Sequence, residues 1–195
     1  MAATVPPGHW GVLLLAHGAP DCLDDIPEFL LNVRNGRPLP PPVVEEIKHR
    51  YALIGCSSPL LRHSRREAEL LGARFGRPVY LAMRNWRPFI AEVVPEILRD
   101  GIETLVVLCL APHNSRTSVG LYRQQLEEAL AQAGASPTLR FVESWHDEPQ
   151  LVRAFAAKLR AGLATASAEA GRPLDRKSTR LNSSHIQKSR MPSSA

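Results

Sequence analysis

The chain is 195 residues long and carries 24 basic and 19 acidic side chains, a formal net charge of +5. Hydrophobic residues make up 44% and charged residues 22%, which excludes wholesale disorder and allows a hydrophobic core of ordinary size. No apolar run approaches the roughly 18 residues of a membrane-spanning helix, and residues 1–10 lack the pattern of a secretory signal, so the cytoplasm is the expected compartment.

The excess charge is local. Arg176, Lys177, Arg180, Lys188 and Arg190 fall in the last twenty residues with no acidic neighbour, leaving 19 charges of each sign in residues 1–175. That stretch has six serines, no aromatic residue and no apolar period, so it cannot bury enough surface to offset the entropy of ordering it. A basic arm for nucleic acid is one reading of it. A non-native translated extension is preferred, because composition changes abruptly at Asp175–Arg176, and no nucleic-acid partner is expected. The expected plan is a flexible N-terminus over 1–9, one α/β domain over 10–174, and a disordered tail over 175–195.

In chain order, the body alternates continuous apolar runs with amphipathic stretches. Residues 11–16 are an apolar run broken by His17-Gly18-Ala19-Pro20. Helical spacing follows over 24–33, with Ile26, Phe29, Leu30 and Val33 on one face. It recurs over 43–54, with Val43, Val44, Ile47, Tyr51 and Ile54. A helix over 65–75 precedes a second apolar run, 78–83. The next helix, 89–98, contains Pro95, which argues against an unbroken helix there, and Asp100-Gly101 ends it. A third run spans 104–110, a helix 118–133 ends at Gly134, and a weaker fourth run spans 139–143. A last helix over 149–164 starts at Pro149 and spaces Leu151, Val152, Phe155, Ala156 and Leu159 as a stripe to be buried.

Apolar runs of this length suit parallel strands covered on both faces, and their alternation with helices predicts a doubly wound, Rossmann-like α/β domain. Ligands of such sheets sit outside the carboxyl ends of the strands. The segments leaving those ends are 17–20, 84–87, 112–116 and 144–147, and every one carries His, Arg or Trp. Arg84, Arg87 and Arg116 there are either surface charges or holders of a carboxylate or phosphate. Trp86 and Trp145 are either core or the wall of a site for a flat aromatic ligand. His17 and His113 are either structural or functional, while His9, His49 and His63 are read as solvated.

Several mechanisms lose support. The chain has no G-x-G-x-x-G after a strand, no phosphate-binding G-x-x-x-x-G-K-[ST] loop and no G-x-S-x-G elbow. Cys22, Cys56 and Cys109 are scattered, so neither a zinc site, a disulfide framework nor an iron–sulfur cluster can be built from them. Cys109 reads as a small core residue.

Five separated motifs then agree in order: His17-Gly18-Ala19-Pro20; Arg50-Tyr51-x-x-Ile54-Gly55-x-Ser57-Ser58-Pro59-Leu60; Met83-Arg84-Asn85-Trp86-Arg87-Pro88-Phe89; Leu110-Ala111-Pro112-His113 with Ser118 and Tyr122; and Glu143-Ser144-Trp145. Over residues 10–165 the chain resembles the N-terminal half of ferrochelatase. The resemblance implies insertion of Fe(II) into a porphyrin, protoporphyrin IX or coproporphyrin III, with release of two protons. It implies two similar α/β domains with the porphyrin between them, of which this chain is the first. Residues 33–64 resemble the apolar, porphyrin-facing lip of the family, and Pro38–Pro42 fit a shaped loop there. His17 falls where coproporphyrin-type members have a tyrosine that ligates the product iron; imidazole is also a haem ligand. Arg34, Arg50, Tyr51, Ser58 and Tyr122 fall on positions contacting the macrocycle or its propionates, and Arg84 where some members have lysine.

The family's metal-site His and its partner Glu belong to the second half, in a motif near Ser-x-His-x-x-Pro. The chain reaches its basic tail before such a motif, and His185 is not that residue. The catalytic groups are therefore expected outside this chain, which is expected to be inactive alone. Porphyrin and ferrous iron are the implied partners as substrates, with no tightly bound cofactor. Peripheral membrane contact is compatible with the lip. Two rival readings stay open: a non-catalytic tetrapyrrole-binding domain, and an enzyme for an anionic small molecule such as a sugar phosphate.

Overall fold

The structure is a computed structural model that describes residues 8–115 and 119–170. The expected tail over 175–195, Arg116, Ser118 and most of the expected arm over 1–9 lie outside the described residues. Of that arm, His9 is described: Glu103 N–H donates to its carbonyl at 2.8 Å, and its ring Nδ1 lies 3.1 Å from Gly101 O.

Four strands form one parallel sheet, β1 (Trp10–Ala16), β2 (Val79–Met83), β3 (Thr104–Cys109) and β4 (Thr138–Val142), in the order β2-β1-β3-β4. Each lies within a residue or two of its predicted run. The central strand β1 is buried along its whole length, as a strand with neighbours on both edges and helices on both faces must be. Val12 stands opposite Val79 on one side and Val106 on the other.

The pleat sends alternate residues to opposite layers. Leu13 and Leu15 pack with Ile90, Val93, Val94 and Ile97 of α4 (Ile90–Arg99) and with Tyr122, Leu126 and Leu130 of α5 (Val119–Gln132). Val12 and Leu14 pack on the other face with Ala68 and Leu71 of α3 (Leu60–Phe75). Leu13, Leu14 and Leu15 are fully buried, each contributing about 1.5–3 kcal/mol of transfer free energy. The doubly wound reading of the sequence is therefore the observed architecture.

Chain direction creates the crevice. From β1 the chain moves to β2 through α1 (Ile26–Val33), α2 (Pro41–Leu53) and α3; from β3 it moves to β4 through α5. These connections leave the carboxyl ends of neighbouring strands in opposite directions, and in such sheets the gap between them takes the ligand.

Helix α4 runs unbroken through Pro95, contrary to the sequence expectation. Pro95 is exposed, as is Ala91 four residues earlier, so the carbonyl left without a helical donor faces solvent at little cost. Helix α2 forms as predicted but buries none of its residues, and Leu53 and Ile54 at its end are 74% and 63% exposed.

The chain divides into two compact units, Met1–Trp145 and His146–Ala195. The second contains α6 (Pro149–Ala170). Here the predicted stripe is corrected: Val152, Phe155 and Leu159 are exposed and Leu151 and Ala156 only half-buried. Helical spacing aligns apolar side chains on one face without determining what covers them.

Candidate functional site

The carboxyl ends of β1, β2 and β3 are stitched together by backbone. Arg84 N–H donates to Ala16 O at 2.9 Å, Asn85 N–H to His17 O at 3.0 Å, and Leu110 N–H to Leu15 O at 2.8 Å. Gly18 makes the closest approach possible. Its φ is +86°, and a Cβ there would stand 2.7 Å from Trp86 N. Only glycine combines that conformation with that contact.

His17 projects from the end of β1. The buried side chain of Asn85 donates from Nδ2 to His17 O at 3.0 Å, and the same nitrogen lies 3.1 Å from ring Nδ1 and 3.4 Å from Nε2. The two ring nitrogens sit across the imidazole from each other, so near-equal distances put the amide beside the ring rather than on one lone pair. Phe29 of α1 meets the ring edge-on at 6.1 Å. Desolvation by these neighbours, then the cationic Arg84, holds the His17 pKa below its ordinary 6.5, so the ring is neutral at pH 7.

Arg84 links His17 to α5. Its charge opposes protonation of His17 and favours ionisation of Tyr122, although burial dominates and pushes the Tyr122 phenol up to about 12. Arg84 Nε is itself buried and unpartnered. A desolvated guanidinium nitrogen without an acceptor is costly, and an anionic group would relieve it. The charge of Arg84 is thus felt both at His17 on β1 and at Tyr122 on α5.

The other predicted residues lie on the α1–α2 side and beyond it. Arg34 closes α1, its Nε donating to Arg37 O at 3.1 Å; Arg50 is ion-paired with Glu46 on α2. Tyr51 is half-buried, and that burial raises its pKa. Ser58 Oγ accepts from Leu60 N–H at 3.2 Å at the start of α3. No bond among the described residues joins these four to His17, Arg84 or Tyr122. A link between α1 and the site does exist through Asn32, which donates to Asn85 O at 3.2 Å.

Trp86 is core: 4% exposed, its Nε1 donates to Asp21 at 3.2 Å, and its ring packs edge-on against Phe29 and Phe89. Trp145 Nε1 donates to Cys109 O at 2.8 Å and its N–H to Pro112 O at 3.0 Å, tying the end of β4 to the loop that carries His113. Cys109 is buried as predicted, and burial raises its thiol pKa to about 11. Sequence reasoning gave Asn85 no role, although it stands in the strand-end segment 84–87 and in the motif over residues 83–89.

Among the described residues no three His, Cys, Asp or Glu side chains gather as a metal site, and no helix is long and apolar enough to cross a membrane. What the geometry defines is a doubly wound α/β domain whose strand ends carry a neutral imidazole, His17, and an arginine, Arg84, with a buried and unpartnered Nε. The family model described as ferrochelatase matches residues 9–185, past the composition break at Asp175–Arg176, and the chain belongs to that family. It is 48% identical over 84% of its length to a ferrochelatase of Acidobacterium capsulatum, and 35% identical over 78% to one of Deinococcus radiodurans. It is also 33% identical over 77% to a coproporphyrin III ferrochelatase of Geobacillus kaustophilus. The chain spans about half the length of these relatives, 49% of the first and 50% of the other two.

Proposed function

We propose that this chain is the porphyrin-facing first domain of an enzyme that inserts Fe(II) into a porphyrin for haem synthesis. The observation that carries the reading is Arg84, whose Nε is buried without a partner and whose backbone is bonded to the strand end that carries His17, in a ferrochelatase-family domain. Fe(II) is a substrate here, with the porphyrin.

Each residue has a distinct task in this reading. Arg84 takes a porphyrin carboxylate, because its Nε lacks an acceptor. Arg34, Arg50 and Ser58 supply further carboxylate donors, with Arg50 leaving Glu46 to do so. Tyr51 and the exposed Leu53 and Ile54 give the macrocycle an apolar face. Tyr122 stays protonated and donates a hydrogen bond. His17, neutral, offers a lone pair to the bound metal ion or accepts a proton released from a pyrrole nitrogen. Binding the ligand's periphery this firmly is what allows its flat centre to be distorted.

The groups that move most of the protons and the metal belong, in this reading, to the second half of the longer relatives. The chain alone then binds porphyrin with little or no turnover. Purified chain assayed for zinc or iron insertion should show a saturable porphyrin complex and no normal metalation rate; turnover at a normal rate would sink that part of the proposal. The exposed free thiols Cys22 and Cys56 suit a reducing compartment, and the cytoplasm is proposed for it.

A further inference from the structure

A second pocket, of about 430 Å³, opens where the loop after β1 meets the start of α3. Asp21, Ser57, Ser58, Arg62, Arg65 and Arg66 line it, with Leu61 and Glu69. Its charges are arranged against the ordinary rules for a helix. Arg62 lies three residues from Arg65 and four from Arg66, so all three share one face as like charges. Arg62 stands in the first turn of this 16-residue helix, where the backbone dipole disfavours cations and no acidic residue is present.

The nearby carboxylates do not resolve this. Glu69 pairs with Arg66 at 2.9 Å, and Asp21 accepts the indole N–H of Trp86 at 3.2 Å. Arg62 and Arg65 have no ion pair among the described residues. Two guanidinium groups without an ion pair thus stand beside two serine hydroxyls around an open volume whose two carboxylates are already engaged elsewhere. Local rules broken without local compensation mark functional positions.

We infer that this pocket is an oxyanion site, in which Arg62 and Arg65 hold a carboxylate or phosphate group with help from the Ser57 hydroxyl. Two sources present that chemistry. One is a carboxylate arm of the porphyrin reaching past Ser58, which rests on the function proposed above. The other is a free small anion, which does not. With an arm as the source, a porphyrin bearing four carboxylates gains more from the pocket than one bearing two.

The test uses the full chain as wild type, as Arg62→Gln/Arg65→Gln, and as Arg74→Gln, a control on the last turn of the same helix. Melting temperature is followed in sodium phosphate and in sodium chloride of equal ionic strength, and affinity is measured for coproporphyrin III and protoporphyrin IX. If a porphyrin arm fills the pocket, the double variant loses about tenfold in affinity for the four-carboxylate porphyrin, less than twofold for the two-carboxylate one, and Arg74→Gln changes neither. If a free anion fills it, phosphate raises the wild-type melting temperature above the chloride value and the double variant abolishes that rise. The second result stands even if no porphyrin binds, so it separates this inference from the proposed function. The inference is overturned if the double variant matches wild type in both arms, or weakens both porphyrins equally with no phosphate effect.

Discussion

Replacing Gly18 by alanine tests whether the site is built by backbone contact between the β1 and β2 loops. The new Cβ would meet Trp86 N at 2.7 Å and Trp86 Cβ at 3.0 Å, atoms that cannot swing away, at a φ of +86°. The conformation costs an alanine roughly 1–2 kcal/mol. The clash adds about 1–3 kcal/mol, because the packed neighbours Phe29 and Phe89 hold Trp86 in place. A total near 3 kcal/mol lowers the melting temperature of a chain this size by about 6–12 °C. Gly36→Ala is the control: its φ is +80°, but nothing lies within 4 Å of the added Cβ, so only the conformational cost of about 1–2 kcal/mol applies. Both melts are read by circular dichroism. Because the shift also separates His17 from Arg84, Gly18→Ala should weaken porphyrin binding and Gly36→Ala should not. Equal destabilisation by the two substitutions would refute the reasoning.

Three further outcomes are expected. The His17 ring should titrate below pH 6.5 by NMR, and Arg84→Gln should move its midpoint upward, since one of the two depressing influences is removed. The unfolded chain then takes up that proton first, so His17 contributes stability above its unfolded pKa that is lost as pH falls through the lower folded value; His17→Ala should flatten that part of the stability–pH curve. Leu13→Ala, in the fully buried central strand, should cost about 2–5 kcal/mol in denaturant unfolding, and a cost below 1 kcal/mol would contradict the assigned core. Trp145→Phe should remove the bond to Cys109 O at a cost of about 1 kcal/mol, with little change in secondary structure.

Strands and helices were legible because continuous runs such as Val12–Leu15 and stripes such as Ile90, Val93, Val94 and Ile97 register burial directly. Coverage was not legible. The stripe on α6 reads like that of α4, yet Val152, Phe155 and Leu159 are exposed, because periodicity describes one surface and burial needs two. Pro95 misled for a related reason: the cost of a lost helical bond depends on whether the orphaned carbonyl meets water. Within the site, His17 and Arg84 stood out as charged or polar residues ending apolar runs. Asn85 did not, since its role comes from the carbonyl and ring of a residue 68 positions earlier, which parallel pairing brings beside it. Trp86 was ambiguous between ligand wall and core until Asp21 and Phe29 appeared around it.

The central claim is that the strand-end crevice binds a porphyrin through Arg84 and His17. Titrating coproporphyrin III and protoporphyrin IX into wild type, Arg84→Ala and His17→Ala, and following the Soret band, tests it most directly. The account predicts a saturable shift with wild type, weakened about tenfold in Arg84→Ala through loss of a charge-assisted bond, and a spectrum altered in His17→Ala when iron porphyrin is the ligand. No saturable shift with either porphyrin, or identical curves for all three proteins, would contradict it.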